Sequence, residues 1–531
     1  MPNTQIIKLR TWIQNSPLWL WVILPAILFV LAWEPIGITP LLFIAFVPFF
    51  ILYDKLRSSS GWRLFGWLYL SILGWNLSTT WWVYFASPAG AVVMLILNTL
   101  FMCVPFLILR KMQKNKAFSF AIFAAFSILW ILYEFGHHRW DLSWPWLALG
   151  NAFSASPSWI QWYEYTGTIG GTLWILWVNM GVFYGLKNGF GRMKWNLVLG
   201  IFVPILISIF LGQSTNIKKG KSIDVAVLQP SFNPWNEKFE RDPIDMQLEM
   251  ESLSLKGIDS ATDWLLWPET CLVRSIDVDY LDRNNQLIML QRDLLSRYPK
   301  LQLLTGFHGV KYYQTRSKPT RSARKSTYDN GVFYDVYNSA LCLKLDEKPG
   351  YYHKSKLVPG TEQMPFIHTI PFLEELAISL DENSISGSLG LSDSAIALGT
   401  EQPVAPIICY ESIYGDYIRG YLERGATWLG IITNDAWWEN TPGHKQHFSY
   451  AKLRAIEFRK WVARSANTGI SGFIDPRGKS YDNTEWYVKT CPKRTIWANS
   501  DKTVYYHLGD LGVLGIYVVL IALLFIIRRL R

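Results

Sequence analysis

Apolar and polar segments alternate on a long scale in the first 212 residues and again at the C-terminal end. Apolar runs fall at 17–33, 38–53, 64–80, 90–109, 117–134, 164–186, 196–212 and 507–527. A helix needs about 20 apolar residues to cross the hydrocarbon core of a membrane, and several runs reach that length, although the second and third are short or diluted. The pattern predicts eight transmembrane helices, seven before residue 213 and one near the C-terminus.

The basic residues between these runs predict which side of the membrane each loop faces. Fifteen lysines and arginines lie in one alternating set of tails and loops, whereas the short loops 34–37, 81–89 and 135–163 carry only Arg139. Positive residues are retained in the cytoplasm, so both termini are expected to be cytoplasmic and residues 213–506 to lie outside it. Buried helices of a soluble protein have no reason to alternate in charge in this way.

From Ser222 onward the hydrophobic period becomes that of strands and helices in a water-exposed domain. Strands are expected at 223–227, 264–267, 301–305, 339–345, 404–408 and 428–432. Helices are expected at 244–256, 285–297, 412–424 and 446–463. Such alternation predicts one α/β domain built around a sheet. The predicted organisation is a seven-helix transmembrane domain at 1–212, a linker at 213–221, a catalytic domain at 222–505, and the eighth helix with its cytoplasmic tail at 506–531.

Composition and charge exclude two broad classes of protein. Half of the residues are hydrophobic, which is too many for a disordered chain. The net charge of +10 belongs to the apolar parts, because residues 213–527 hold 35 basic and 36 acidic residues. A free-standing basic surface is therefore not predicted, and no nucleic-acid partner is expected.

Three chemically active side chains follow apolar segments of the predicted α/β domain. Glu269 comes after the strand at 264–267, Cys409 comes after the strand at 404–408, and Lys354 lies in a loop-like segment. Strand ends at one sheet edge are where ligands gather, so these groups are expected to converge.

A nucleophilic thiol needs a base, and a cation or N–H donors to hold the oxyanion that its attack creates. A helix beginning near Ser412 would favour the thiolate of Cys409. Taken singly, the three residues also fit a surface carboxylate, a solvated charge and a small buried apolar residue. Cys271, two residues after Glu269, is the rival nucleophile, although its apolar neighbours favour a packed side chain.

At these residues the sequence resembles a known family. Trp267-Pro268-Glu269, the Tyr352–Pro359 segment followed by Glu362, Ile408-Cys409-Tyr410-Glu411 and Asn434-Asp435-Ala436-Trp437 resemble the motifs of the nitrilase, or carbon–nitrogen hydrolase, superfamily. With seven predicted spans before this domain and one after it, the whole chain is similar to the apolipoprotein N-acyltransferase family. The match extends to Tyr337-Asn338-Ser339, Gln446-His447 and Trp144-Pro145-Trp146-Leu147.

The resemblance implies an αββα sandwich and a role for each motif residue. Glu269 would be the general base, Lys354 would stabilise the oxyanion, and Cys409 would be the nucleophile. Supporting residues would be Glu362, Tyr410 through its N–H, and Glu411, and substrate contacts would come from Phe239, Trp437 and Trp146. The chain reads Pro359-Gly360-Thr361-Glu362 where many members read Pro-Phe-Gly-Glu, and it has Lys356 where many have His. The choice between Lys354 and Lys356 therefore rests on the Tyr-x-Lys register.

The implied activity is a two-step acyl transfer in the bacterial inner membrane, with the catalytic domain in the periplasm. Cys409 would take a fatty acyl chain from a phospholipid as a thioester. The α-amino group of diacylglyceryl-cysteine on an apolipoprotein would then accept it. No cofactor or metal is expected, and the partners are the phospholipid donor, the diacylated apolipoprotein and the bilayer, with the protein acting as a monomer.

Two other functions remain open at the level of sequence. A membrane-tethered amidase would use the same residues with water as the second nucleophile. A transporter or receptor could carry an inert nitrilase-like domain, but the predicted spans are nearly free of acidic residues, with Glu134 and Glu164 at span ends. His444 and His447 lack the neighbouring ligands of a zinc site.

Overall fold

The structure is a computed structural model that describes residues 3–113, 118–191, 193–238, 240–315, 317–326, 331–366 and 389–530. The chain forms two compact units. The first contains Met1–Tyr84, Pro88–Thr215 and Thr503–Arg531, and the second contains Phe85–Ser87 and Asn216–Lys502.

The first unit is helical, and each of the eight apolar runs coincides with a helix or a broken helix. Its helices are α1 (Asn3–Asn15), α2 (Leu18–Ala32), α3 (Leu42–Ala45), α4 (Val47–Leu56), α5 (Gly61–Thr80), α6 (Val83–Ala86), α7 (Pro88–Gln113), α8 (Phe120–His137), α9 (Tyr163–Asn188), α10 (Met193–Ser214) and α15 (Val504–Leu530). Three 3₁₀ turns within 145–159 connect α8 to α9.

Within the described residues, six helical segments are long and apolar enough to cross a membrane. They are Thr39–Leu56, Pro88–Gln113, Phe120–His137, Tyr163–Asn188, Met193–Ser214 and Val504–Ile527. A seventh is added if Lys8–Asn15 and Leu18–Ala32, which bend by 100°, form one span. Helix α5 does not belong to this set although it has 20 residues. Polar residues such as Arg63 and Asn76 dilute it, so the total of eight spans stays a prediction.

The second apolar run is broken into short helices, and a polar side chain from α9 compensates for the break. Asn179 accepts hydrogen bonds from the N–H groups of Phe46 and Val47 at 2.8 and 3.1 Å, and it donates to the carbonyl of Leu42 at 2.7 Å. An apolar solvent leaves backbone polar groups without partners, so such internal hydrogen bonds are required in a membrane.

Large apolar side chains cover the outside of the first unit. Phe210 is 70% exposed and Leu206 is 63% exposed on α10, and Val519 is 57% exposed on α15. A continuous exposed apolar surface is unfavourable in water and is the surface that a lipid environment requires.

The second unit contains thirteen described strands in two sheets. The strands are β1 (Lys221–Val227), β2 (Trp264–Leu266), β3 (Leu272–Asp277), β4 (Gln302–Gln314), β5 (Arg324–Lys325), β6 (Val332–Lys344), β7 (Gly350–His353), β8 (Val404–Ile408), β9 (Trp428–Thr433), β10 (Val462–Ala466), β11 (Gly472–Ile474), β12 (Ser480–Tyr481) and β13 (Lys493–Ala498). The first sheet has the order β13-β1-β2-β4-β6-β5, with β3 on β4 and β7 on β6, and the second has the order β12-β11-β10-β9-β8.

The two sheets pack face to face, and helices lie outside them. The Trp264 and Trp428 rings meet edge to face at 5.4 Å, one from each sheet. Helices α11 (Pro243–Leu255) and α12 (Asn285–Leu290) share a buried core with the first sheet, and α13 (Gly415–Glu423) and α14 (Pro442–Phe458) pack beside the second. The αββα architecture implied by the resemblance is confirmed.

Parallel pairing places the site at the carboxyl ends of three strands. In the first sheet β2 runs parallel to β1 and β4, and in the second β9 runs parallel to β8 and β10. Glu269 follows β2, Cys409 follows β8, and Asn434 follows β9.

Three expectations about this unit were wrong. The domain has two sheets, where the alternation of elements predicted one. The helix expected at 446–463 ends at Phe458, because the apolar run Trp461-Val462-Ala463 enters β10. The helix expected at 412–424 begins only at Gly415, after a 3₁₀ turn over Cys409–Ile413.

Candidate active site

Glu269 lies just beyond β2 and is held by donors from three separate segments. Its Oε1 accepts hydrogen bonds from Asn338 Nδ2 at 2.7 Å and Lys354 Nζ at 3.2 Å, and its Oε2 accepts from the N–H of Asn434 at 3.0 Å. The side chain is 6% exposed. A Cβ at Gly306 would lie 2.6 Å from the Cα of Glu269, so only glycine permits this approach of β4.

Lys354 follows β7 and lies between two carboxylates. Its Nζ donates to Oε1 of Glu362 at 2.8 Å and to Glu269, and its backbone N–H donates to the carbonyl of Asn338 at 2.8 Å. The side chain is 1% exposed. Lys356 is directed elsewhere, because its Nζ lies 5.4 and 5.3 Å from the ring centroids of Tyr414 and Tyr417.

Glu362 is joined to the base through shared donors. Its Oε1 accepts from Lys354 and, at 2.8 Å, from Asn338 Nδ2, while Oε2 accepts from the N–H of Val358 at 2.8 Å. Two acidic side chains, one lysine and one amide therefore form a closed network, in which Glu269, Lys354 and Asn338 are buried and Glu362 is partly exposed.

The electrostatics of this network favour an ionised base. Burial alone would raise the pKa of Glu269, but Lys354, the Asn338 hydrogen bond and Lys238 together hold that pKa below its usual value. Burial would lower the pKa of Lys354, but Glu362, Glu269 and Cys409 outweigh it and raise that pKa. The pair is thus a carboxylate and an ammonium at neutral pH.

Cys409 occupies a backbone position that few side chains adopt. Its φ is 49°, in the left-handed region, at the point where β8 passes into the 3₁₀ turn. Such a conformation costs about 1–3 kcal/mol and persists only where the surroundings impose it. Its carbonyl accepts from Ser412 Oγ at 2.8 Å and lies 3.2 Å from Nε2 of His447.

The thiol of Cys409 is protonated at rest, which corrects the expectation that a helix would favour the thiolate. Burial raises the pKa of Cys409, Glu269 adds to this effect, and Lys354 opposes it. The segment after Cys409 is a five-residue 3₁₀ turn, too short to supply the dipole of a long helix. A carboxylate beside a neutral thiol is the arrangement that general-base removal of the proton requires.

Glu411 fastens the nucleophile segment to the lysine segment. Its Oε1 accepts from Tyr352 Oη at 2.6 Å and from the N–H of Ser355 at 2.8 Å, and its Oε2 accepts from the N–H of Ile408 at 2.9 Å and Tyr421 Oη at 2.9 Å. Glu411 has no exposed surface. The ring of Tyr410, also buried, packs against Tyr414 with centroids 5.4 Å apart.

A second polar network, which includes Asp435 just after β9, supports the 3₁₀ turn over Cys409–Ile413. Asp435 Oδ1 lies 2.9 Å from Nδ1 of His447, Asp435 Oδ2 lies 2.7 Å from Nη2 of Arg464, and His447 Nε2 lies 2.9 Å from Ser412 Oγ. Asp435, His447 and Arg464 have no exposed surface. Ser412 is 1% exposed, so this Ser–His–Asp arrangement is a structural support.

Of the substrate contacts named from sequence, Trp146 and Trp437 lie within the described residues. Trp146 is fully buried in the first unit, with its ring 4.8 Å from Trp82. Trp437 is half-buried and meets the exposed Trp235 edge to face at 5.0 Å. Phe239 lies outside the described residues.

The rival nucleophile Cys271 is packed in the core. Its sulfur lies 3.1 Å from Thr305 Oγ1, and burial raises its pKa to about 11. No group of three or more metal-ligating side chains occurs in the described part of the chain.

Three residues of the cluster were missed by sequence reasoning as site residues. Asn338 bridges Glu269 and Glu362, Asn434 donates its N–H to Glu269, and Lys238 lies buried beside Thr270. Asn338 and Asn434 stood within recognised motifs, which was the available signal. Lys238 carried none, because a lysine in a polar segment is normally solvated.

Comparisons with known proteins agree with this organisation. A family model described as the apolipoprotein N-acyltransferase N-terminal domain matches residues 25–181, and one described as carbon–nitrogen hydrolase matches residues 319–491. The chain is 28% identical over 489 residues to the apolipoprotein N-acyltransferase of Chlorobaculum tepidum, with 89% of each chain covered. It is 25% identical over 481 residues to the apolipoprotein N-acyltransferase of Wigglesworthia glossinidia brevipalpis, with 87% of this chain and 86% of the relative covered.

Among solved structures, the chain is similar to Saccharomyces cerevisiae Nit3, a member of branch 10 of the nitrilase superfamily. The identity is 14%, the match covers 52% of this chain and 90% of Nit3, and the TM-score is 0.35. The fold assignment rests instead on the strand order and on the carbon–nitrogen hydrolase family model.

Proposed function

Because this chain belongs to the apolipoprotein N-acyltransferase family, we propose that it transfers a fatty acyl chain from a membrane phospholipid to the α-amino group of diacylglyceryl-cysteine in bacterial apolipoproteins. The chain is an acyltransferase and a multi-pass bacterial membrane protein. The finer proposal concerns the donor, the covalent intermediate and the residues that form it.

In the first half-reaction Glu269 takes the proton of the Cys409 thiol as the sulfur attacks the ester carbonyl of the phospholipid. The carbonyl oxygen becomes an oxyanion, which the Lys354 ammonium and the N–H of Tyr410 stabilise. The C–O bond then breaks, the glycerol oxygen receives the proton from Glu269, and a lysophospholipid leaves. The fatty acyl chain remains on Cys409 as a thioester.

In the second half-reaction the apolipoprotein amine attacks the thioester. Glu269 takes the proton that the amine releases and returns it to the sulfur as the C–S bond breaks. This ping-pong order suits a thioester, because a thiolate leaves readily and the intermediate persists while one lipid replaces another. Water would hydrolyse the thioester, so the mechanism requires surroundings that exclude it.

One observation carries this proposal. Donors from three segments hold the ionised carboxylate of Glu269 and the buried ammonium of Lys354 together, beside a strained, protonated cysteine. Glu362 and Glu411 fit supporting roles, since the first holds Lys354 and the second fixes the backbone on both sides of the site. Phe239, Trp437 and Trp146 remain proposed substrate contacts.

The proposed setting follows the charge pattern of the sequence. The protein lies in the inner membrane with both termini in the cytoplasm and the domain 222–505 in the periplasm, and it acts as a monomer. Both proposed substrates are lipids, which gives the apolar helices of the first unit a use beyond anchoring.

Purified protein in lipid nanodiscs tests the proposal directly. Phospholipid with a labelled acyl chain and a synthetic diacylated lipopeptide are added, and the lipopeptide is analysed for a third acyl chain. Wild type should form the N-acyl product, and Cys409→Ala should form none. Product from Cys409→Ala would refute the mechanism, and hydrolysis of small amides without lipopeptide acylation would favour the tethered amidase.

A further inference from the structure

Lys238 is a buried cation that the proposed mechanism does not use. It lies in the segment 231–238, which follows β1, and its side chain is 5% exposed. Its backbone N–H donates to the carbonyl of Asn233 at 3.0 Å, which closes a turn. Lysine is rarely buried to this extent, because removing an ammonium from water is costly unless nearby groups compensate.

The ammonium of Lys238 is fixed to the residue that follows Glu269. Its Nζ donates to Oγ1 of Thr270 at 2.5 Å. Thr270 has a φ of 46°, so the backbone immediately after Glu269 is held in the left-handed region. The lysine therefore restrains the chain at the point that sets the direction of the Glu269 side chain.

The same segment reaches Glu269 by a second route. The N–H of Phe232 donates to Asn467 Oδ1 at 3.1 Å, and Asn467 Nδ2 donates to Asn434 Oδ1 at 3.1 Å. The N–H of Asn434 then donates to Glu269. The segment 231–238 thus contacts the base through the Lys238–Thr270 bond and through the two asparagines.

The charges around Glu269 give Lys238 an electrostatic effect as well. Among the described residues, the titratable groups around Glu269 include Lys354, Lys238, Cys409, His308 and Glu362, the last of which shares the donors Asn338 and Lys354 with it. The groups that face Lys238 are Glu269, Cys271 and His308. Burial lowers the pKa of Lys238 to about 8, while Glu269 and Cys271 oppose that effect, so the side chain is still mainly an ammonium at neutral pH.

We propose that Lys238 is a positioning residue for Glu269: it anchors the backbone after the base through Thr270 and supplies a second positive charge that keeps the carboxylate ionised. The proposal rests on the proposed function, in which Glu269 is the base that removes the proton of Cys409. It adds a residue that acts on the reaction through the base.

The test uses the full-length protein and reads Cys409 in two ways. Its acylation by phospholipid and its alkylation by iodoacetamide are each measured across a range of pH, from the mass of the peptide that contains Cys409. The variants are Lys238→Met, Lys238→Arg and the control Lys256→Met, which changes an exposed lysine of the same unit.

Loss of the Lys238 charge raises the pKa of Glu269, so its base form appears only at higher pH. Lys238→Met should therefore slow both reactions about tenfold at the acid end of the profile and move that limb to higher pH. Lys238→Arg keeps the positive charge and should restore the acid limb. Lys256→Met should match wild type.

A folded Lys238→Met protein with wild-type rates and an unchanged pH profile would overturn the proposal. If Lys238→Met does not fold, Thr270→Val removes only the acceptor oxygen and preserves volume and charge. A slower reaction with an unchanged acid limb then supports the positioning role, and a wild-type rate contradicts it. The two proposals can fail separately. If phospholipid never acylates Cys409 of the wild-type protein, but Lys238→Met still shifts the pH profile of Cys409 alkylation, the phospholipid relay is refuted and the positioning role of Lys238 stands.

Discussion

The side-chain amide of Asn338 donates a 2.7 Å hydrogen bond to the same oxygen of Glu269 that accepts from Lys354. The same amide nitrogen also donates to Glu362 at 2.8 Å. Two carboxylates that would repel one another are therefore held together by a shared ammonium and a shared amide. Each donor stabilises a negative charge that burial would otherwise disfavour. Loss of Asn338 or Lys354 should therefore change the pKa of Glu269.

Replacing Asn338 should impair the chemistry more than the fold. Hydrogen bonds to charged groups contribute about 1.5–3 kcal/mol, so Asn338→Ala should slow Cys409 acylation by about 10- to 100-fold. The measurement is the rate of acyl-enzyme formation from phospholipid. Asn285→Ala, an exposed asparagine at the start of α12, is the control. An Asn338→Ala rate equal to that of wild type would show that the bridge has no part in the reaction.

The two lysines of the Tyr-x-Lys-x-Lys segment give a matched pair of variants. Lys354→Met removes the ammonium that both Glu269 and Glu362 contact and the proposed oxyanion partner, so acylation should fall by at least about 10²–10³-fold. Lys356→Met removes an ammonium that lies near the Tyr414 and Tyr417 rings and should retain most activity. The pair is compared by acylation rate at equal folded concentration. A larger loss of acylation rate in Lys356→Met than in Lys354→Met would assign the oxyanion-stabilising role to Lys356.

Glu411 is expected to stabilise the fold, and only its carboxylate can accept all of its hydrogen bonds. All its described hydrogen-bond partners are donors, and an amide at this position turns an N–H group toward some of them. Glu411→Gln should therefore lower the free energy of unfolding of this unit by about 2–3 kcal/mol. Denaturant unfolding followed by tryptophan fluorescence measures this change. Glu423→Gln, on the exposed end of α13, is the control, and equal stabilities of the two variants would contradict the assignment.

The Asp435 cluster predicts a loss of stability in acid. Burial would raise the pKa of Asp435, but Arg464 and His447 outweigh it and hold the pKa well below its usual range. A carboxyl group with a depressed folded-state pKa stabilises the fold above its unfolded pKa of about 4, and that contribution is lost as the pH falls toward the folded value.

The unfolding temperature of wild type should accordingly fall with pH below about 4. Asp435→Asn should be less stable at neutral pH by about 3 kcal/mol, because Arg464 loses its buried partner, and its unfolding temperature should depend less on acid. Thermal unfolding followed by circular dichroism at a series of pH values checks both points. Parallel curves for the two proteins would show that Asp435 does not carry the acid dependence.

The elements that the sequence predicted best are those whose pattern is set by local burial. The apolar runs became helices, and β8 and β9 lie where continuous apolar residues end in Cys409 and Asn434. The predicted C-terminal boundary of α14 was wrong because the apolar run Trp461-Val462-Ala463 resembles a continuation of the helix, whereas Arg459 adopts a left-handed conformation that ends it. Periodicity does not report such a turn.

The sequence predicted only those site residues that lie at strand ends or within motifs of the family. Glu269, Lys354 and Cys409 came from strand-end positions and from family resemblance. The bridging role of Asn338 depends on β6 pairing with β4, and the burial of Lys238 depends on a turn that returns it to Thr270. These relationships arise from contacts between residues far apart in sequence, which hydropathy and spacing do not encode. The protonated state of Cys409 likewise follows from burial in the assembled fold.

The most direct test of the central claim is intact-mass analysis of the purified protein after incubation with phospholipid and without an acceptor. We predict one added fatty acyl mass, mapped to the peptide that contains Cys409, labile to hydroxylamine, and discharged when a diacylated lipopeptide with a free α-amino group is added. Cys409→Ser should carry no hydroxylamine-labile thioester. Transfer of the acyl chain to the lipopeptide with no acyl group ever detectable on Cys409, or with the label on another residue, would contradict the account.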